Sequence, residues 1–142
     1  MSDSHAVNPY TATATLVDDD KRLDFLPFYF GVKMMIVGEA YVYQFMRDLS
    51  EGQYTGGYWN YYEVSSGTFY LALKGDERFT LTSPSGQTET MSADAAGIVC
   101  TLYTLGRLAA LVGKEEFVDM YHLLIAYSSN HPESTAIRAL ID

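Results

Sequence analysis

The sequence predicts a single-domain α+β fold, in which a small antiparallel sheet of three to four strands, arranged as a meander, packs with three to four or more helices. Four short segments rich in aromatic and β-branched residues are separated by turns that contain glycine or serine. Longer segments before and after them carry apolar residues at helical spacing. A chain of 142 residues suits one domain with a hydrophobic core of its own.

The N-terminal third is predicted to contain a tail and two helical elements. Residues 1–15 carry few large apolar side chains, so they are expected to form a flexible tail, with a short edge strand as the alternative. The domain is predicted to span residues 16–142. Three aspartates at 18–20 indicate a capped helical turn, which the aromatic segment 25–31 ends. Residues 32–49 are expected to form the first long helix.

Four strands are predicted next, at residues 58–64, 68–73, 78–82 and 87–91. A two-residue hairpin tip at Ser66 and Gly67 would place Val64 opposite Phe69. One face of the sheet would then carry Tyr62, Val64, Phe69, Leu71 and Leu73, and the other face Trp59, Tyr61, Glu63 and Tyr70.

Three helices are predicted after the strands. Ser92 is suited to cap the start of a long helix, because its hydroxyl accepts from free amides of the first turn, and Gly113 is suited to end it. Residues 114–127 repeat apolar residues at helical spacing. Pro132 is placed to open a final short helix that ends near Asp142.

The charge balance argues against direct nucleic-acid binding. Nine basic and 18 acidic residues give a formal net charge of -9, and no Lys/Arg-rich stripe is available to contact phosphates. Close DNA mimicry is not expected either, because duplex DNA carries roughly one charge per 1.7 Å, and a domain ~40 Å long would need on the order of 20 charges on one face. The acidic residues here are scattered, and the aspartates at 18–20 form the only run.

The sequence favours a cytoplasmic protein. A lone cysteine, Cys100, excludes an internal disulfide, and residues 1–5 lack the pattern of a secretory signal. The most apolar run, residues 95–105, is shorter than the ~20 residues that span a membrane. We therefore expect no membrane segment, and we expect the protein to be a monomer.

Residue patterns for catalysis, metals and cofactors are lacking. The three histidines show no ligand spacing, and the glycines at 52, 56 and 57 lead into a strand rather than into the helix of a phosphate loop. Cys100 and His122 sit among apolar residues of predicted helices, where a packing role is the usual one. No cofactor or metal is expected.

Glu39 is the one candidate for a general base. With its neighbouring tyrosines it would suit a small ligand-binding domain or an enzyme. The other interpretation is a carboxylate on the solvent side of a helix, or one hydrogen-bonded to a tyrosine. We prefer the second interpretation, because no second acid or histidine has a spacing that implies partnership, and we predict that the protein is not an enzyme.

A partner-binding surface is predicted at the aromatic residues of the sheet. Trp59, Tyr61 and Tyr70 would lie on one face beside Glu63, and such rings dominate protein-binding hot spots. The alternative is that a helix covers this face and the rings belong to the core. Asp142 ends the chain with two carboxylates, which suggests a contact to a cationic partner, or simply a frayed helix end.

Six groups of residues, taken in order, carry a family resemblance. They are Leu26-Pro27 with Phe30-Gly31, Glu39 with Val42-Tyr43, Tyr54 with Gly56-Gly57-Tyr58-Trp59, Tyr62-Glu63, Gly67 with Phe69-Tyr70, and Met91-Ser92-Ala93-Asp94-Ala95-Ala96-Gly97. In these groups the chain resembles the ArdB/KlcA antirestriction proteins of plasmids and other mobile elements, from about residue 16 to about residue 112. Two departures are Phe28-Tyr29, where relatives commonly have a basic residue, and residues 65–68, which replace a more Asn-Gly-like hairpin tip.

The resemblance implies a protein that alleviates type I restriction of incoming plasmid or phage DNA without cutting or modifying anything itself. It implies an inhibitory interaction, and members of the family are not close DNA mimics, in agreement with the charge argument. The expected partner is the type I restriction-modification complex or a host factor acting with it.

Overall fold

Runs of strands and runs of helices follow one another along the chain, as expected of an α+β protein, which confirms the predicted class. The computed structural model describes residues 7–141. The strands are β1 (Ala14–Leu16), β2 (Trp59–Val64), β3 (Thr68–Leu73), β4 (Arg78–Thr82) and β5 (Thr88–Ser92). The helices are α1 (Arg22–Phe30), α2 (Met35–Leu49), α3 (Ala93–Val112), α4 (Glu115–Ser128) and α5 (Ser134–Ile141), with 3-10 turns at Pro9–Thr11 and Asp19–Lys21.

The strands form two antiparallel sheets, so the single meander we predicted is wrong. One sheet has the order β1-β2-β3, and β4 and β5 form a separate hairpin. The free edge of β3 is occupied by α3, where the backbone N–H of Leu71 donates to the Thr101 hydroxyl at 3.2 Å. Gly97 permits this approach, since a Cβ there would lie 2.2 Å from the carbonyl oxygen of Leu71. A helix that covers a sheet edge removes the place where a further strand would pair.

The β2–β3 hairpin differs from the predicted register by one residue. Val64 pairs with Thr68 and not with Phe69, because the loop contains three residues instead of two. The loop is closed by the N–H of Gly67, which donates to the carbonyl oxygen of Val64 at 2.9 Å. A one-residue shift moves every side chain of a strand to the other face of the sheet.

The two faces of the three-stranded sheet are therefore composed differently from the prediction. The face that we call the aromatic face carries Trp59, Tyr61, Glu63, Phe69, Leu71 and Leu73. The opposite face, called the Tyr70 face, carries Asn60, Tyr62, Val64, Thr68, Tyr70 and Ala72. The prediction that Tyr70 shares a face with the three β2 residues Trp59, Tyr61 and Glu63 is wrong.

Helices pack on both faces of this sheet. On the aromatic face, Phe25 of α1 stacks on Tyr61 with ring centroids 4.6 Å apart. On the Tyr70 face, the hydroxyl of Thr68 donates to the backbone carbonyl of Met120 in α4 at 2.8 Å. The rings of Trp59, Tyr61 and Tyr70 are buried, so they belong to the core, as the alternative interpretation held.

The first helix continues through the segment that was expected to end it. Residues 25–31 were predicted as a break, but α1 runs to Phe30 with Pro27 inside it, and Gly31 ends it at a φ of +83°. The unit formed by the 3-10 turn and α1 meets α2 at 95°. Gly38 permits this close packing, since a Cβ there would lie 2.6 Å from the ring of Phe30.

The caps predicted for the central helix are confirmed. The Ser92 hydroxyl accepts from the N–H of Ala95 at 3.1 Å, and Gly113 ends α3 in the left-handed conformation. At 20 residues, α3 is longer than the apolar run at 95–105 and is long and apolar enough to cross a membrane. Because most of the helix is buried among the other elements, the packing of α3 is that of a core helix.

The N-terminal segment contributes an edge strand, β1, which pairs with β2. This strand includes residues 14 and 15 of the predicted tail, so the alternative of a short edge strand is the correct one for these two residues. The predicted domain limits stay a prediction, because residues 1–6 and Asp142 lie outside the described residues.

Candidate functional site

Glu39 lies on α2 and contacts two tyrosines of the core. Its carboxylate accepts hydrogen bonds from the hydroxyls of Tyr43 at 2.7 Å and Tyr61 at 3.3 Å. Burial and the bond to Glu39 raise the pKa of Tyr43 above its ordinary value. Among the best-formed surface cavities of residues 7–141 are five of about 320 to 550 Å³, and Glu39 lines none of these five. The structure thus supports the hydrogen-bonded interpretation and gives no support to the ligand-binding or enzymatic alternative.

Cys100 is a packing residue of α3. Its side chain is fully buried, and its Sγ lies 3.7 Å from the Sδ of Met46. Burial raises the pKa of the Cys100 thiol well above its ordinary value. Since a nucleophilic cysteine needs the opposite shift, Cys100 does not provide a nucleophile.

A polar network that the sequence did not predict lies at the start of α3. The Tyr70 hydroxyl donates to Oδ1 of Asp94 at 2.8 Å, and Nε2 of His131 lies 2.8 Å from Oδ2 of the same carboxylate. Nδ1 of His131 accepts from the backbone N–H of Glu133 at 3.0 Å, so in the neutral imidazole the proton is on Nε2, which donates to Asp94. Burial and the Asp94 carboxylate raise the pKa of Tyr70 far above its ordinary value.

Glu133 extends this network to the second sheet. Its carboxylate accepts from both the hydroxyl and the backbone N–H of Ser92, the residue that caps α3. Burial would raise the pKa of Glu133, but the bonds from Ser92 and the nearby His131 and Arg78 outweigh it and hold the pKa below its ordinary value. The network joins the end of β5, the start of α3 and the segment before α5.

The network has the residue types of an acid–base site, but two of its three central members are closed to solvent. Tyr70 is 2% exposed and the His131 side chain 8%, whereas the Asp94 side chain is 39% exposed. None of the three lines any of the five cavities. Across residues 7–141, no group of three or more His, Cys, Asp and Glu side chains is placed to hold a metal ion. We interpret the network as a set of structural hydrogen bonds that holds these elements together. Its hydrogen-bonded partners are separated by up to 41 residues, so only the position of Asp94 in the first helical turn hinted at it.

Glu63 is the exposed member of the predicted partner-binding set. It lies at the end of β2, where Oε2 accepts from the Tyr29 hydroxyl of α1 at 2.9 Å. Burial and this bond raise the pKa of Tyr29 above its ordinary value. Trp59 and Tyr61 lie behind it in the core, and Asp142 lies outside the described residues. Partner binding by these residues stays a prediction.

Comparison with known proteins identifies close relatives over nearly the whole chain. A sequence model described as antirestriction protein matches residues 52–142. An antirestriction protein KlcA of Escherichia coli is 47% identical over 135 residues, which cover 92% of this chain and 94% of that protein. A second KlcA of the same species is 43% identical and covers 94% of this chain and 96% of its own length. The chain belongs to the antirestriction protein family.

A solved structure of this antirestriction family shares the fold. It superposes with a TM-score of 0.86 at 45% identity, covering 93% of this chain and 96% of the solved one. That work on KlcA and ArdB describes a novel fold, and antirestriction activity against type I DNA restriction systems in vivo but not in vitro.

Proposed function

We propose that this antirestriction protein alleviates type I restriction of incoming plasmid or phage DNA in the cytoplasm, through an inhibitory interaction. The observation that carries the proposal is the likeness to KlcA and ArdB across almost the entire chain, in sequence and in fold. The activity described for those relatives is directed against type I systems in vivo.

In this proposal, the protein acts without catalysing a reaction. In support, the tyrosine, aspartate and histidine side chains that resemble an acid–base set hydrogen-bond to one another, and Tyr70 and the His131 side chain are buried. The thiol of Cys100 is buried with a raised pKa. The exposed surface carries charge and apolar side chains, which suit binding rather than bond making.

The proposed inhibition does not rely on imitation of DNA. The chain has 18 acidic and nine basic residues. A mimic of duplex DNA needs roughly one negative charge per 1.7 Å along a single face, which is more than this chain supplies. The proposed partner is the type I restriction-modification complex or a host factor acting with it. The in vivo but not in vitro activity of the relatives favours a component that is present in the cell and lost on purification of the restriction enzyme.

The test is the plating efficiency of unmodified phage on a type I restricting host, with and without the protein. We expect more plaques when the protein is present, and no change on an isogenic host that lacks the restriction system. Equal plating on the restricting host at a verified level of soluble protein would contradict the proposal. Capture of bound proteins from the same restricting strain then identifies the target.

A further inference from the structure

Phe28 of α1 is the most exposed aromatic side chain among residues 7–141. It exposes 76% of its surface, and its ring meets that of Tyr29 edge-on with centroids 4.8 Å apart. Three cavities of about 320, 350 and 550 Å³ all include Phe28 in their lining. The cavities of 320 and 550 Å³ also share Glu63. The cavities of 350 and 550 Å³ share Tyr29 and Gly67. The three cavities are therefore parts of one continuous surface depression.

We call this depression the Phe28 groove. It begins beside the first turn of α1, passes the end of β2 and the β2–β3 loop, and reaches the first turns of α4. Its charged and aromatic lining includes Asp24, Phe28, Tyr29, Glu63, Glu116 and Asp119.

The charge of the groove is acidic and is not balanced from within the chain. Four carboxylates line it, against two ammonium groups, those of Lys21 and Lys114. Over residues 7–141, the ion pair between an arginine or lysine and a carboxylate joins Arg78 to Glu133, so no such pair neutralises the groove carboxylates. A partner with lysine or arginine side chains would supply the missing charge.

We propose that the Phe28 groove binds a polypeptide segment of a partner protein, in which lysine or arginine side chains flank an apolar side chain that packs on Phe28. The inference rests on the proposed function, because the partner is then a protein of the restriction machinery or one acting with it. Nucleic acid is the wrong occupant, since phosphates would meet carboxylates. The exposed ring gives the apolar anchor, and the carboxylates on both sides of it set the preference for a basic segment.

Plating with groove variants tests the assignment. One variant is Phe28→Ala. The other is the double variant Asp24→Lys with Asp119→Lys, which keeps two of the four groove carboxylates. We expect each to lower the plating efficiency of unmodified phage on a type I restricting host by roughly tenfold or more relative to the wild-type protein, since central interface residues carry most of the binding energy.

Matched controls separate the groove from general effects of charge and hydrophobicity. Leu111→Ala removes an exposed apolar side chain at the end of α3, outside the groove. The double variant Glu51→Lys with Asp76→Lys makes the same change in net charge at two exposed acids that do not line it. Both controls should plate as the wild type does. The inference is overturned if the groove variants, folded as judged by thermal unfolding, also plate as the wild type, or if the controls lose as much.

A peptide titration keeps the two proposals distinguishable. A wild-type protein that gives no alleviation contradicts the proposed function, and the groove is then judged by nuclear magnetic resonance alone. We expect a short synthetic peptide with leucine between arginines to shift the amide signals of Phe28 and Glu63, and the same peptide with glutamates to leave them unchanged. Equal shifts with both peptides, no shift with either, or a preference for duplex DNA would overturn the inference.

Discussion

On the Tyr70 face of the central sheet, the buried Tyr70 and His131 share one carboxylate, that of Asp94, whereas the aromatic face packs mainly through rings and ends in the exposed carboxylate of Glu63. The Tyr70 hydroxyl, the Asp94 carboxylate and the His131 imidazole are each partnered within the fold. At the end of the aromatic face, Glu63 accepts one hydrogen bond from Tyr29 and stays open to solvent beside Phe28.

This difference separates residues that resemble catalytic groups from residues that are free to bind. Closed networks rigidify a fold, because an unpaired polar group in a low-dielectric interior is costly. Exposed rings next to unbalanced charge have the chemistry of an interface. The comparison therefore predicts that the Tyr70 face serves stability and that the α1 side of the aromatic face serves binding.

The largest expected effect comes from two phenylalanines of the same helix. Phe25→Ala should lower the free energy of unfolding by about 3–5 kcal/mol, because this ring is 3% exposed and stacks on Tyr61. Phe28→Ala should stay within about 0.5 kcal/mol of the wild type, since its ring is exposed. Urea unfolding measures both. Similar losses for the two variants would remove the distinction between the packed and the binding side of α1.

A smaller effect is expected on the Tyr70 face. Tyr70→Phe removes the hydroxyl that donates to Asp94 and should cost about 1–2 kcal/mol of stability. Antirestriction activity in the plating assay should be unchanged where the variant remains folded. Tyr10→Phe, at an exposed ring, serves as the matched control and should be neutral in both assays. Loss of plating by a folded Tyr70→Phe protein would show that the network has a functional role.

The smallest effect concerns Glu133 and depends on pH. Its pKa is lowered in the folded protein, so the ionised carboxylate contributes stability above its unfolded-state pKa, and this contribution is lost as pH falls through the folded-state pKa. Glu133→Gln should therefore lower stability at neutral pH, by less than about 1 kcal/mol, with the difference shrinking at acidic pH. Thermal unfolding across pH, with Glu51→Gln as an exposed control, measures it. A difference that grows on acidification would contradict the assigned direction.

Local signals allowed much of the fold to be predicted from the sequence. The β2 and β3 strands lie within one residue of the predicted bounds, because the glycines and serines between them act through neighbouring backbone groups. The caps of α3 were also predictable, since Ser92 and Gly113 each satisfy groups within a few residues.

Features set by distant contacts were not predictable in this way. The sheet divides in two because α3 reaches the edge of β3, a contact between Leu71 and Thr101 that no local pattern records. The hairpin register depends on one loop residue more than the prediction allowed. His131 meets Asp94 across 37 residues, and Tyr29 meets Glu63 across 34, so both the network and the groove arise only on folding.

The most direct measurement is the ratio of plaques from unmodified phage to plaques from phage already modified by the same type I host, determined with the wild-type protein present. Modified phage escapes restriction, so this ratio reports restriction alone. The account predicts that the ratio rises toward one when the protein is produced. A ratio that stays as low as in cells without the protein would contradict it.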